Sequence, residues 1–246
     1  MTVDIFDDLV AEQDRLEGIL DGLPAAAWLR PSAADGWTIR DVVLHLAQTE
    51  EGVAATLSAS ASAPATFDRQ SGTLDEAMDR LVKADHADPP AVFDRWRAAR
   101  RAAVDALRAA DPARPVGWAA APLKPATLAT TLLAEHWAHG LDITGPLGIP
   151  FPDTERLRHI AWLGHGTLPY AFQLAGVTPG PVYCELTAPD GAIWRYGPPD
   201  AESTITGSAG AFCRVGAQRL APDDSGLRTS GPLGANALRI LRNYAA

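Results

Sequence analysis

The chain has 246 residues, a formal net charge of −9, a sequence pI near 5.1 and 47% hydrophobic residues. This composition predicts a soluble globular protein with one good core and a smaller one, and it excludes intrinsic disorder. The acidic balance, with only 21 Lys and Arg residues spread along the chain, argues against nucleic acid as the main partner. A small-molecule substrate is expected instead.

Helical periodicity dominates the first 150 residues. Four long helices are predicted, and four such helices favour an up-down bundle over residues 1–150. A low-complexity stretch over 58–64 is expected to end the second helix, and Gly145-Pro146 lies beyond the expected end of the fourth. The predicted helices cover residues 5–23, 39–59, 89–110 and 127–141, with a short amphipathic helix over 74–84 in a long connection.

The pattern changes in the second half of the chain. A linking helix is predicted over 153–174 within residues 151–180, with a kink at its Gly and Pro residues. Alternating residues over 182–187 and 193–196 flank a Pro-Asp-Gly turn, which predicts a β-hairpin. A strand over 203–206 and helices over 209–220 and 235–244 would complete a small α/β domain over 181–246. The fold class expected is therefore α+β.

Two cysteines, Cys184 and Cys213, lack the CxxC spacing of a redox pair or zinc knuckle. The N-terminus is acidic and amphipathic, unlike a signal peptide, and no apolar run is long enough to span a membrane. These features predict a cytoplasmic protein with no membrane partner. A monomer or homodimer is expected.

The residues with the clearest chemistry are Glu135 and His139. Four residues apart on a helix, their side chains share one face and can bridge a single cation. His45, in the middle of the second helix, is the candidate third ligand from a facing helix of the bundle. Two imidazoles and one carboxylate with an open fourth position match the composition of catalytic zinc sites, although Ni, Co or Fe(II) accept the same ligands.

Polar residues near these histidines are candidates for orienting them. Asp142 lies three residues after His139, whereas Asp41 and Thr49 lie one turn to either side of His45. Ligating histidines usually donate their second ring proton to such groups.

The spacing of these residues alone also allows an interpretation without a metal. A single histidine such as His45 on an apolar helix is often a core residue, and Glu135 with His139 could be a surface i,i+4 pair. His136 is rotated by about 100° from the face of its neighbour Glu135 and is expected to be satisfied or exposed.

Two segments resemble a known family. GWTIRDVVLHL over 36–46 and EHWAHGLDI over 135–143 resemble the DinB-like, mycothiol-dependent maleylpyruvate isomerase family of actinobacteria. The likeness covers nearly the whole chain and includes GSA, FCRV and QRL within 207–220. It implies a DinB-like metal-binding four-helix bundle followed by a smaller domain, with the metal ligands at His45, Glu135 and His139. The family's C-terminal arginine corresponds to Arg219, although the surrounding motif departs from the usual pattern.

The resemblance implies a divalent-metal-dependent enzyme. In such an enzyme an open metal position would activate a thiol, such as mycothiol, or an oxygen ligand for isomerisation or S-transfer. The substrate would be a small carboxylate or conjugated molecule, with Arg219 as a clamp for its carboxylate. Two alternatives stay open: a thiol-independent cyclase, hydrolase or isomerase of secondary metabolism, and a non-catalytic protein that binds a small apolar ligand.

Overall fold

The computed structural model describes residues 4–58, 73–118 and 122–243. The chain divides into two compact units, one ending at Phe151 and the other starting at Pro152. Within the described ranges, no helix is long and apolar enough to cross a bilayer. The helices are α1 (Ile5–Asp21), α2 (Ile39–Ser58), α3 (Leu74–Ala84), α4 (Pro89–Ala109), α5 (Pro125–Leu147), α6 (Leu157–Gly166), α7 (Leu168–Leu174), α8 (Ala209–Gly216) and α9 (Gly231–Ile240), and the strands are β1 (Val182–Thr187), β2 (Ile193–Tyr196), β3 (Ser203–Ser208) and β4 (Arg228–Ser230).

The first unit is a bundle of α1, α2, α4 and α5, in which α1 and α4 run antiparallel. Arg97, early in α4, pairs with Asp21 at the end of α1. Arg108, at the end of α4, pairs with Asp7 at the start of α1. Both ion pairs lie at the protein surface, where such pairs contribute little stability. They do show that α1 and α4 run in opposite directions.

Helix α4 runs parallel to α2. Arg40, at the start of α2, donates to the carbonyl of Ala87 just before α4 begins, and Arg95 pairs with Glu51 further along both helices. Parallel neighbours need a long return connection, and here it includes α3 and the segment 59–72, which lies outside the described residues.

Helix α5 closes the bundle and runs antiparallel to α2. His45 and His139 are neighbours, and so are Glu50 and His136 one turn away. The directions of the four helices are therefore up, down, down, up. The four-helix bundle predicted from the sequence is confirmed. Its helices do not strictly alternate in direction, because the long connection between α2 and α4 lets the second and third helices run parallel.

The prediction that α5 ends near Leu141 is wrong, because the helix continues through Pro146 to Leu147. A proline has no N–H to donate to the carbonyl four residues earlier, which is that of Asp142. The backbone N–H of Ala33 donates to this carbonyl instead, at 2.9 Å. Gly148, with φ of +68°, then ends the helix in the left-handed conformation.

The second unit contains a four-stranded sheet in the order β2-β1-β3-β4. The predicted hairpin of β1 and β2 is confirmed, with Cys184 opposite Tyr196. Strand β3 lies parallel to β1, and β4 pairs antiparallel with β3. Strand β4 is not predicted by the sequence pattern, because its three polar residues carry no alternation signal. The α+β class is confirmed.

The helices of this unit differ from the predictions in their bounds. The kinked helix predicted over 153–174 is two helices, with Thr167 between them, and both belong to the second unit. Asp153 does not start a helix but forms a bidentate ion pair with Arg214 of α8. Helix α8 ends at Gly216 rather than near 220.

The C-terminal helix α9 starts at Gly231, four residues before the predicted start, and ends at Ile240. Its predicted end at Tyr244 lies outside the described residues, as does the predicted end of α2 at Ala59.

Candidate metal centre

Three side chains of the bundle converge on one position. His45 comes from the middle of α2, and Glu135 and His139 come from successive turns of α5. One ligand atom from each lies within 4.8 Å of the other two. The imidazoles are almost buried, whereas the Glu135 side chain keeps 25% of its surface exposed. Part of the Glu135 side chain is therefore in contact with solvent.

The spacing of these atoms fits a shared cation better than a simple ion pair. Glu135 Oε2 lies 3.4 Å from His139 Nε2 and 3.7 Å from His45 Nε2. Charge-assisted hydrogen bonds are usually shorter, about 2.7–2.9 Å. With metal–ligand bonds of about 2.1 Å, two ligands of a tetrahedral ion lie about 3.4 Å apart. The donor set therefore fits Zn²⁺ or a similar divalent ion.

The charged side chains of the site strongly change one another's pKa values. Burial by itself would raise the pKa of Glu135, but the His139 and His45 imidazoles outweigh it and hold that pKa well below its usual range. Burial lowers the pKa of His139, yet Asp142 and Glu135 together raise it to about 9. At neutral pH the carboxylate is thus ionised and the His139 imidazole is protonated, so a bound cation would displace the proton on Nε2 of His139.

Of the three predicted orienting residues, the structure brings one into contact with a predicted ligand. His139 Nδ1 lies 2.9 Å from Asp142 Oδ2, and Asp142 is buried. Asp41 instead accepts hydrogen bonds from the N–H and hydroxyl of Thr38 and caps the start of α2. In the described part of the chain, neither Asp41 nor Thr49 forms a side-chain hydrogen bond with His45.

Comparison with known proteins identifies the family. Residues 9–144, more than half of the chain, match the family model described as the mycothiol maleylpyruvate isomerase N-terminal domain. The chain belongs to this family. The matched range contains all three converging side chains of the candidate centre.

Relatives extend the similarity beyond the matched domain. Two uncharacterized proteins of Mycobacterium tuberculosis, from strains CDC 1551 / Oshkosh and H37Rv, are each 36% identical over 250 residues, covering 97% of this chain and 94% of the relative. Two crystal structures of mycothiol-dependent maleylpyruvate isomerase, one of them a histidine-to-alanine mutant, share its fold with a TM-score of 0.63. They are 14% and 15% identical and cover 92% of this chain and 91% of theirs.

Trp37 is not among the predicted site residues, yet its ring lies against both histidines of the centre. Its centroid is 5.1 Å from that of His45 and 6.4 Å from that of His139. Its Nε1–H donates to Asp79 of α3 at 2.9 Å. Trp37 precedes α2 and is off its periodic face, so helical spacing could not place it there.

A second polar cluster, made of Gln13, Glu50, Trp96 and His136, is buried in the bundle. Trp96 Nε1–H can only donate, so His136 Nε2, 3.2 Å away, must accept. His136 Nδ1 then carries the proton and donates to the carbonyl of Leu132 at 2.8 Å. Burial lowers the pKa of His136 to about 4, which keeps the ring neutral. Both ring nitrogens of His136 therefore have hydrogen-bond partners within the core. The sequence alone leaves open whether this histidine is hydrogen-bonded or exposed.

Glu50 is fully buried in the same cluster. Its Oε1 lies 3.4 Å from the accepting Nε2 of His136 and accepts from Gln13 at 2.6 Å. Two lone pairs so close would repel each other if the carboxylate were ionised. Burial raises the pKa of Glu50 to about 8, although Gln13 opposes the shift. The pair is therefore a neutral acid beside a neutral imidazole.

Arg219 belongs to the second unit and is exposed. It follows Gln218, whose φ of +58° ends α8 in the left-handed conformation. The Arg219 backbone N–H donates to the carbonyl of Arg214, and its Nη1 donates to that of Ala217 at 2.7 Å. Its position is thus set by the cap of α8, and its predicted catalytic role stays a prediction.

Proposed function

We propose that this protein is a divalent-metal-dependent enzyme that activates a thiol or oxygen ligand, for isomerisation or S-transfer on a small carboxylate or conjugated substrate. The observation that carries the proposal is the convergence of His45, Glu135 and His139 within 4.8 Å. Family membership supports it, because the description of the matching family names a thiol, mycothiol, and an enzyme, maleylpyruvate isomerase.

The residues that would hold the ion are His45 and His139 through Nε2, and Glu135 through its carboxylate. A divalent ion with an open position lowers the pKa of a thiol or water bound to it. Zn²⁺ fits two imidazoles and one carboxylate, and Ni²⁺, Co²⁺ and Fe²⁺ share these ligand types. Asp142 would orient His139 by accepting a hydrogen bond from its Nδ1–H, so that Nε2 faces the ion.

An open coordination position distinguishes catalysis from a purely structural metal. In the residues described, no fourth His, Cys, Asp or Glu joins the three. A site with three protein ligands leaves room for a substrate or a thiol, which favours an enzyme over the non-catalytic alternative.

The protein's own thiols do not suit the proposed chemistry. Cys184 and Cys213 are buried and unpaired with each other. Burial raises the pKa of Cys184 to about 12 and that of Cys213 further. A reactive thiolate would therefore have to come from a small molecule, and mycothiol is the thiol that the family's description names.

The first experiment tests metal binding. We would purify the wild type, His45→Ala and the control His86→Ala, whose histidine is exposed on the connection between α3 and α4. Metal content should be near one ion per chain in the wild type and control, and much lower in His45→Ala. Equal content in all three proteins would contradict the proposal.

The second experiment tests the thiol. Mycothiol should raise the melting temperature of the metal-loaded protein and leave the metal-free protein unchanged, because a ligand that binds only the native state stabilises it. Conversion of maleylpyruvate in the presence of both metal and mycothiol would identify isomerisation. Metal binding without any mycothiol effect would favour the thiol-independent alternative.

A further inference from the structure

Trp37 is held from two directions beside the candidate metal centre. Its backbone carbonyl accepts from both the N–H and the hydroxyl of Ser32, at 2.9 Å each. Its side-chain N–H donates to Asp79 Oδ1, while Asp79 Oδ2 accepts from Lys83 at 2.8 Å. Since both backbone and ring are fixed, Trp37 presents a defined face.

That face covers the two imidazoles of the centre. The Trp37 ring is nearly parallel to His139, at 25°, and is tilted by 50° to His45. Aromatic rings at such centroid separations attract each other. A ring that touches both imidazoles restricts the rotation of each, which preorganises their Nε2 atoms for a common ion.

We propose that Trp37 is a positioning residue of the metal centre and that Asp79 is its anchor. This inference rests on the proposed function and extends it. Helix α3, which supplies no ligand, is then part of the site, because it sets the orientation of the indole through one hydrogen bond.

Three variants separate the two interactions of Asp79, which are its hydrogen bond with Trp37 and its ion pair with Lys83. Asp79→Leu removes the acceptor for Trp37 and the partner of Lys83. Asp79→Asn keeps a side-chain oxygen that can accept from the indole, and Lys83→Met removes the ion pair alone. The measurements are the Co²⁺ dissociation constant, the visible absorption bands of the Co²⁺-loaded protein, and the melting temperature of each variant.

The anchor model predicts one pattern. Asp79→Leu should bind Co²⁺ about tenfold more weakly, the lower end of the effect of lost outer-shell contacts, and its absorption bands should shift because the ligand geometry changes. Asp79→Asn and Lys83→Met should retain the wild-type affinity and spectrum. If Asp79→Leu does not fold, Trp37→Phe carries the test, since it keeps a ring but loses the N–H.

The outcomes distinguish the two proposals. Wild-type affinity and spectrum in both Asp79→Leu and Trp37→Phe would overturn the positioning role and leave the metal centre intact. Equal losses in Asp79→Leu and Lys83→Met would assign the effect to the ion pair and also overturn it. Failure of the wild type to bind Co²⁺ would overturn the proposed function together with this inference.

Discussion

His139 and Asp142 lie one turn apart on α5, with the imidazole Nδ1 2.9 Å from the carboxylate Oδ2. Both residues are buried, at 8% and 1% exposure, so water competes little for this contact. The hydrogen bond holds the proton on Nδ1 of His139 and directs Nε2 toward Glu135. Carboxylate–histidine pairs of this kind accompany many metal sites and raise the basicity of the ligand.

Replacement of Asp142 by Ala is therefore expected to weaken metal binding by about 10–100-fold, because His139 loses its orientation and part of its basicity. The change can be measured by competition with a chelator of known affinity. Asp105→Ala, an exposed position on α4, serves as the control and should bind like the wild type. An Asp142→Ala protein that is folded and binds metal with unchanged affinity would contradict this role.

The buried acid Glu50 predicts a pH dependence of stability. Burial raises its pKa in the folded protein to about 8 from an ordinary value of 4.5. Between these values the folded state holds a proton that the unfolded state releases, so the free energy of unfolding falls as pH rises through this window. The groups that face Glu50 are Gln13 of α1 and His136 of α5, and His136 in turn accepts from Trp96 of α4.

Glu50→Gln removes this titration and keeps a neutral side chain of similar shape. Its stability relative to the wild type should increase from pH 5 to pH 8, reaching roughly 3 kcal/mol. Urea unfolding across this pH range measures the difference. A constant difference between the two proteins from pH 5 to pH 8 would show that Glu50 does not hold its proton.

Two of the three residues of the candidate centre could be predicted from local sequence. Glu135 and His139 are four apart on one helix, so their shared face follows from helix geometry alone. The third member, His45, is ninety residues away and is predicted from its place in the middle of a facing helix, and the family resemblance implies the same three ligands. Metal binding itself remains a prediction.

Other features depend on contacts that no local pattern encodes. The continuation of α5 through Pro146 requires a donor from Ala33 for the carbonyl of Asp142, which only the folded chain supplies. Trp37 reaches the centre because Asp79, forty-two residues away, accepts its N–H. These are tertiary interactions, and they override the local breaker and periodicity signals on which the predictions relied.

The proposed clamp at Arg219 can be tested once an assay exists. Arg219→Met would lose a charge-assisted hydrogen bond to the substrate carboxylate, worth about 1.5–3 kcal/mol, so kcat/KM should fall about 10–100-fold, mainly through KM. Arg195→Met is the control, since Arg195 is exposed and pairs with Glu185. Equal kinetic constants for Arg219→Met and the wild type would remove this residue from the proposed mechanism.

The glycine that follows His139 offers a test of how tightly α5 is packed beside the centre. A Cβ added at Gly140 would lie 2.5 Å from Cζ and 2.9 Å from Cε1 of Phe151, whose ring lies under the guanidinium of Arg15 at 3.5 Å. The ring has to move or α5 has to shift, so Gly140→Ala should destabilise the protein by about 1–3 kcal/mol.

Gly18→Ala is the matched control, because it adds the same methyl group to the interior of α1, where no described atom outside the local helix backbone lies within 4 Å of it. It should stabilise the protein by about 0.5–1 kcal/mol through the higher helix propensity of alanine. Thermal or urea unfolding of both variants gives the comparison. Opposite signs for the two substitutions would establish that the Phe151 contact, and not helix propensity, dictates glycine at position 140. A stabilising Gly140→Ala would mean that this part of α5 is packed more loosely than the contact distances indicate.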